Sequence, residues 1–257
     1  MKKLIIANWK MLPETLGQAE EILARTEECL RDLDRDAFDV VFCPPFVFIE
    51  EVAKLLGEGA LAETASLGAQ DIATQDTGAL TGEISGHQLT RLGVRYVIIG
   101  HSERRWKLGE SDTTVNTKLA AALRSGLTPV VCLGERSRDG QWQQELAAQT
   151  AATLVGLTAG QVSKCLFAYE PVWAISTNPG AKPDTPASAV QSMALIRETI
   201  ADRFDVSHPT FLYGGSVTPD NATAFLERSE VSGVLVGGAS VRADDFCRIL
   251  SVAAALP

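Results

Sequence analysis

The chain has 257 residues, of which 46% are hydrophobic and 21% charged, and its formal net charge is −9. That is an ordinary globular composition, and the acidic balance argues against a nucleic-acid partner or an anionic membrane surface, both of which call for a basic face. Small anionic ligands stay open, because charges farther away than roughly 8 Å are screened at physiological salt and local groups decide.

Short apolar runs recur along the chain with helix-like stretches between them. The first run, 4–7, follows Lys2-Lys3 and is too short for the core of a signal peptide. A stretch rich in Glu, Ala, Leu and Arg follows at 16–31, then runs at 40–43 and, more weakly, at 66–69. The run 96–99 precedes a predicted helix at 111–125, capped by Ser111-Asp112 and ending before Gly126. Runs at 129–133, 166–169 and 210–213 alternate with predicted helices at 141–155 and 186–203. Thr218-Pro219-Asp220 reads as the start of a helix over 218–227. The last run, 234–236, leads into a helical segment from about Ala239.

The runs are continuous rather than alternating, which suits parallel strands buried on both faces. Eight strand candidates without a linker-like break leave two folds, a closed eight-stranded parallel (β/α)8 barrel and an open doubly wound sheet. The open sheet usually carries a glycine-rich first turn, and here the first strand ends in Asn8-Trp9-Lys10-Met11. The barrel is therefore expected, as one domain over residues 1–257, a length common for such barrels. No run approaches the roughly 20 apolar residues of a membrane span. The five cysteines, Cys29, Cys43, Cys132, Cys165 and Cys247, are odd in number and widely spaced. They fit unpaired thiols in a reducing compartment, expected to be the cytoplasm.

In such a barrel the active site gathers at the carboxyl ends of the strands. Asn8 and Lys10 end the first run, Gly100-His101-Ser102-Glu103-Arg104-Arg105 the fourth, and Glu170 the sixth. The seventh runs into Gly214-Gly215-Ser216 and the eighth into Gly237-Gly238-Ala239-Ser240. Each has a plainer reading. Glu170 could turn into water, although an apolar neighbourhood makes a carboxylate more basic. A lone lysine is usually a solvated surface group. His101 is as readily structural as catalytic, and glycine pairs can be tight turns. Their convergence on one expected face favours function. Free backbone N–H groups after Gly237-Gly238 suit a phosphate, so a small phosphorylated ligand is expected. No spacing suggests a metal site.

The chain resembles the triosephosphate isomerase family over essentially its whole length. The resemblance rests on Asn8-Trp9-Lys10-Met11, Gly68-Ala69-Gln70, Thr81-Gly82-Glu83 and the 100–105 segment. It continues through Cys132-Leu133-Gly134-Glu135, Tyr169-Glu170-Pro171-Val172-Trp173-Ala174-Ile175, Tyr213-Gly214-Gly215-Ser216-Val217 and Gly237-Gly238-Ala239-Ser240. That family is the type case of the barrel and of its carboxylate–histidine pairing, so both are implied by the likeness as well. The resemblance implies interconversion of dihydroxyacetone phosphate and D-glyceraldehyde 3-phosphate without a cofactor. It implies Glu170 as the base, His101 as the group that polarises the carbonyl, and Lys10 as the stabiliser of the enediolate. Asn8 would position substrate, and Glu103 would orient Lys10 or relay protons. Ser216, Gly237, Gly238 and the backbone of Ser176 would hold the phosphate. It further implies a homodimer, in which the loop 71–85 enters a second subunit and Thr81 approaches the partner's site. The plainer reading of that loop is a solvent-exposed segment.

The chain departs from the family at the lid. The family usually has glycine at the positions of Ser176 and Asn178, whereas this chain reads Ser176-Thr177-Asn178-Pro179-Gly180-Ala181-Lys182-Pro183. A side chain at a positive φ costs about 1–2 kcal/mol, which would lower the closed population. Alternatively Asn178 and Gly180 supply the permissive backbone. Leu12 stands where Asn is common, and Asp71 where Asn is common. The altered lid keeps open an alternative, isomerisation of a four-carbon ketose phosphate on the same scaffold. A Schiff-base lyase is disfavoured because the sixth strand ends in Glu170 rather than lysine. A non-catalytic phosphate binder is disfavoured by the intact Lys10, His101 and Glu170 set.

Overall fold

The computed structural model describes residues 2–175 and 181–256. Eight strands form, β1 (Lys3–Asn8), β2 (Phe38–Cys43), β3 (Ala65–Ala69), β4 (Tyr96–Ile99), β5 (Thr128–Leu133), β6 (Leu166–Tyr169), β7 (Thr210–Tyr213) and β8 (Gly233–Val236). They pair in chain order as a closed barrel. The seam is parallel like the rest, with Ile5 beside Val40 of β2 and Val234 of β8. Every expected strand is present, including the weaker one at 66–69.

The continuous apolar runs have a direct cause. Along each strand, alternate residues face opposite sides. Ile6, Val41, Ile98, Leu212 and Leu235 fill the inside of the barrel. Their neighbours Ile5, Val40, Val97, Phe211 and Val234 pack outward, within the layer shared with the helices. Both faces are dry, so both must be apolar. Burying each such side chain contributes about 1.5–3 kcal/mol. Gly233 is required at the seam, because a Cβ there would strike the backbone of Leu4.

The helices 16–31, 111–125, 141–155 and 186–203 appear as Leu16–Leu30, Asp112–Arg124, Trp142–Leu154 and Pro186–Ala201. Thr15 and Gln18 form a reciprocal cap on the first, and Ser111 and Thr185 accept from backbone N–H groups at the starts of two others. The helix expected over 218–227 is a correction. Only Ala222–Leu226 is helical, because Asn221 Oδ1 accepts the N–H of Thr218 and its Nδ2 donates to the Ser216 carbonyl. Those bonds hold Thr218-Pro219-Asp220 as a turn. Beyond β8, Gly238–Val241 is a single 3-10 turn, and the last helix begins later, at Ala243–Ala254. No helix of the described residues is long and apolar enough to cross a membrane.

Candidate active site

Parallel strands place all their carboxyl ends on one face, and the predicted residues meet there. Asn8, Lys10, His101, Glu170, Ser216, Gly237 and Gly238 line one cavity of about 290 Å3, closed on its apolar side by Ile175 and Leu235. A larger groove of about 790 Å3 lies beside the first and last helices, lined by Leu12, Ile22, Arg25 and Asp244 among others, without a histidine or a catalytic pairing.

Lys10 is held in an unusual backbone conformation, with φ of 57°. Such a conformation costs of order 1–3 kcal/mol and persists only where neighbours over-determine it. Here Asn8 Oδ1 accepts the Lys10 N–H at 3.1 Å. Gln70 Nε2 donates to the Lys10 carbonyl at 2.8 Å and to that of Cys43 at 2.9 Å. The result aims the side chain into the cavity, where Nζ meets Glu103 Oε1 at 3.0 Å. The stem passes so close to Gly237 that a Cβ there would sit 3.2 Å from Lys10 Cε. The ammonium is thereby set beside the glycine turn. Burial raises the Glu103 carboxyl, but the adjacent Lys10 charge, with lesser help from Lys107, outweighs it and holds the group below its ordinary value.

His101 is buried and caps the six-residue helix Ser102–Lys107. Its Nδ1 accepts the Glu103 N–H at 3.2 Å. An accepting Nδ1 carries no proton, so the ring proton of this neutral tautomer lies on Nε2, facing the cavity. Nε2 stands 2.9 Å from Glu170 Oε1.

Glu170 is 2% exposed. Its backbone extends the barrel ladder one residue past β6, donating to the Leu133 carbonyl at 2.8 Å. A Cβ at Gly134 would collide with the Glu170 carbonyl, and one at Gly214 would press on its Cγ. These two glycines let the strand ends clasp the glutamate. Oε2 accepts the N–H of Ser102 at 2.7 Å, the first free donor of a helix, where negative charge is favoured. Oε1 has no well-aligned donor. The neighbourhood is therefore less apolar than the run 166–169 suggests. On β5, the Cys132 thiol is pushed well up by burial and, next, by the Glu170 charge.

The phosphate-side residues are also brought in. Ser216 Oγ donates to the Ala174 carbonyl at 3.1 Å, and Arg242 Nη1 donates to that of Gly238 at 3.0 Å. Ser176, with Asn178 and Gly180, falls outside the described residues. The segment before it is anchored. Trp173 Nε1 donates to Glu135 Oε1 at 2.9 Å, and the Tyr169 hydroxyl donates to the same oxygen at 2.8 Å. Sequence reasoning assigned no role to Gln70, Glu135 or Arg138, whose Nε lies 3.1 Å from Glu135. Gln70 and Glu135 stand inside the quoted motifs, and that position was the available signal. Among the described residues no group of three or more His, Cys, Asp or Glu could hold a metal ion.

Asp71 lies in a buried ion cluster. Lys118 Nζ reaches its two oxygens at 2.7 and 2.6 Å, and Arg104 Nη2 reaches Oδ2 at 2.8 Å. Lys118 also pairs with Glu110. Burial raises the Asp71 carboxyl more than these cations lower it.

A family model described as triosephosphate isomerase matches residues 3–253. The protein named triosephosphate isomerase from Chloroflexus aurantiacus is 43% identical over 96% of this chain and 97% of its own length. Those of the same name from a Roseiflexus species and a Picosynechococcus species are each 42% identical, covering 96% and 98% of this chain and 96% and 99% of their own lengths. With the barrel and its furnished face, these likenesses show that the chain belongs to the triosephosphate isomerase family.

Proposed function

We propose that the chain interconverts dihydroxyacetone phosphate and D-glyceraldehyde 3-phosphate by proton transfer through an enediolate. The observation that carries this reading is the meeting of a buried carboxylate, an imidazole with its proton on Nε2 and an ammonium around one cavity. Glu170 takes a proton from the carbon beside the carbonyl and returns it to the neighbouring carbon. The His101 Nε2–H donates to the carbonyl oxygen and then serves both oxygens of the enediolate in turn. Lys10 faces the developing negative charge, Asn8 fixes the Lys10 backbone, and Glu103 holds the ammonium in place. Ser216, Gly237, Gly238 and Ser176 take the phosphate through hydroxyl and backbone donors. Two atoms 2.9 Å apart leave no room for a substrate carbon, so the Glu170 carboxylate leaves the Ser102 N–H as substrate enters. The reaction moves only protons and calls for no redox cofactor.

The same reading includes a homodimer. It is supported by exposed apolar side chains on the loops after β1, β2 and β3, with Met11 91%, Val47 82% and Leu80 44% exposed. Apolar side chains this exposed on the loops of three successive strands fit an interaction surface. Five unpaired thiols support a reducing, cytoplasmic setting.

A coupled assay with glyceraldehyde 3-phosphate and, separately, a four-carbon ketose phosphate tests the reading. Turnover of the three-carbon substrate at the higher kcat/KM is expected. Absence of that turnover overturns it, and a preference for the four-carbon compound moves the assignment to that substrate.

A further inference from the structure

The first and last helices flank the seam where the barrel closes. Leu16–Leu30 follows β1, Ala243–Ala254 follows β8, and β1 pairs with β8. Each helix carries one half-buried cysteine, Cys29 and Cys247, whereas Cys43, Cys132 and Cys165 are buried. The two half-buried thiols face each other. Cys29 Sγ lies 3.8 Å from the Cys247 carbonyl oxygen. Cys247 Sγ lies 3.7 Å from the carbonyl oxygen of Arg25, one turn before Cys29. A helical side chain leans back over the turn before it, so each sulfur reaches the turn that carries the other.

We propose that Cys29 and Cys247 form a reversible intramolecular disulfide when the protein meets hydrogen peroxide, stapling the first helix to the last across the barrel seam. Cys29 is the attacking sulfur. The neighbouring Cys247 side chain holds it below the ordinary thiol value, burial opposing and Ser251 adding a smaller push in the same direction as Cys247. Cys247 is correspondingly pushed up, first by Cys29 and then by burial. The three buried thiols lack this activation, and burial alone raises Cys165 to about 12. Reactivity follows thiolate character and exposure together.

The steps balance. The Cys29 thiolate attacks one oxygen of hydrogen peroxide, the O–O bond breaks, and the departing hydroxide takes a proton to become water. Cys29 is now a sulfenic acid. The Cys247 sulfur attacks it, an S–S bond forms, the S–O bond breaks, and a second water leaves with the Cys247 proton. Two thiols are oxidised by two electrons and one peroxide is reduced to two waters. A dithiol reverses the bond by exchange.

The bond would close nearly the whole chain into one covalent loop and so restrict the unfolded state. Neither sulfur lines the catalytic cavity, so turnover is expected to be unchanged on oxidation.

The full-length protein is treated with hydrogen peroxide, blocked with an alkylating reagent, digested without reductant and mapped by mass spectrometry. The expected result is one cross-linked peptide pair joining Cys29 to Cys247, lighter by two hydrogens than the free peptides and released by dithiothreitol. The oxidised protein is expected to melt on the order of 5 °C or more higher than the reduced one. In Cys247→Ser, a dione probe is expected to trap sulfenic acid at Cys29. Retention of all five thiols, pairing through another cysteine, or a bond between two chains overturns the proposal. A Cys29 that stays reduced in Cys247→Ser overturns its place as the attacking sulfur. The readout is covalent, so it stands or falls independently of the isomerase assay.

Discussion

His101 Nε2 stands 2.9 Å from Glu170 Oε1 while Glu170 Oε2 accepts the Ser102 N–H at 2.7 Å. One carboxylate thus touches both the imidazole and the start of the helix that the imidazole caps. Before substrate enters, the proposed base rests on the same backbone unit, 101–103, that carries the proposed proton donor. Productive geometry here depends on side-chain length, because the Glu170 backbone is clasped between Gly134 and Gly214.

Glu170→Asp is therefore expected to retain the fold and lose rate. The backbone cannot advance to compensate for one missing methylene, and misplacement of about 1 Å can cost about 100-fold. Steady-state kinetics with circular dichroism as a folding control measure this. A kcat equal to that of the parent protein removes Glu170 as the base.

The Lys10–Glu103 pair carries a pH dependence. Folding holds the Glu103 carboxyl below its ordinary value of 4.5, so in the acid range the unfolded chain binds more protons than the folded one. The stability that the pair contributes is then complete at neutral pH and is lost as pH falls through the lowered folded value. Urea midpoints measured from about pH 7 down to about pH 3 are expected to fall less steeply in Glu103→Gln than in the parent. Parallel profiles would show that Lys10 does not hold the carboxylate.

All eight strands were legible because barrel strands are dry on both faces, as the pairs Ile5/Ile6 and Val40/Val41 illustrate. Ser102–Lys107 and Gly86–Arg91 were not, since six residues give too little periodicity to separate a helix from a turn. Asn8, Lys10, His101 and Glu170 stood out by ending strands. The partners that fix them did not. Gln70 reaches Lys10 across 60 residues of chain, and Glu135 reaches Tyr169 across 34. No local pattern encodes such pairings.

The cluster around Asp71 separates two kinds of cost. Lys118→Met would leave Asp71 and Glu110 facing each other with Arg104 as their remaining cation, and removing one partner of a buried pair costs about 3–5 kcal/mol. Asp71→Asn is expected to cost less than that, because burial already raises the carboxyl and Glu110 remains to pair Lys118. The sign follows from that shift. The folded protein holds the Asp71 proton more tightly, so this group's contribution is full at acid pH and diminishes as pH rises through the folded value. Urea unfolding at neutral pH is expected to rank the parent and Asp71→Asn close together and Lys118→Met far below. Equal loss in both variants would show that the anionic Asp71 is itself stabilising.

The proposed dimer makes the sharpest demand on Val47, which is 82% exposed although apolar. On a monomer, a charge there is harmless, since exposed substitutions usually shift stability by less than about 0.5 kcal/mol. In an interface, Val47→Asp buries an unpaired carboxylate at a cost of about 3 kcal/mol or more, about 100-fold in Kd. Sedimentation at micromolar protein is expected to give a dimer for the parent and a monomer for the variant. Activity is expected to fall with the dimer, because Thr81 would no longer support the partner's Asn8 and Lys10 region. A parent that sediments as a monomer removes the dimer, and a dissociated variant with full activity removes the dependence of each site on its partner.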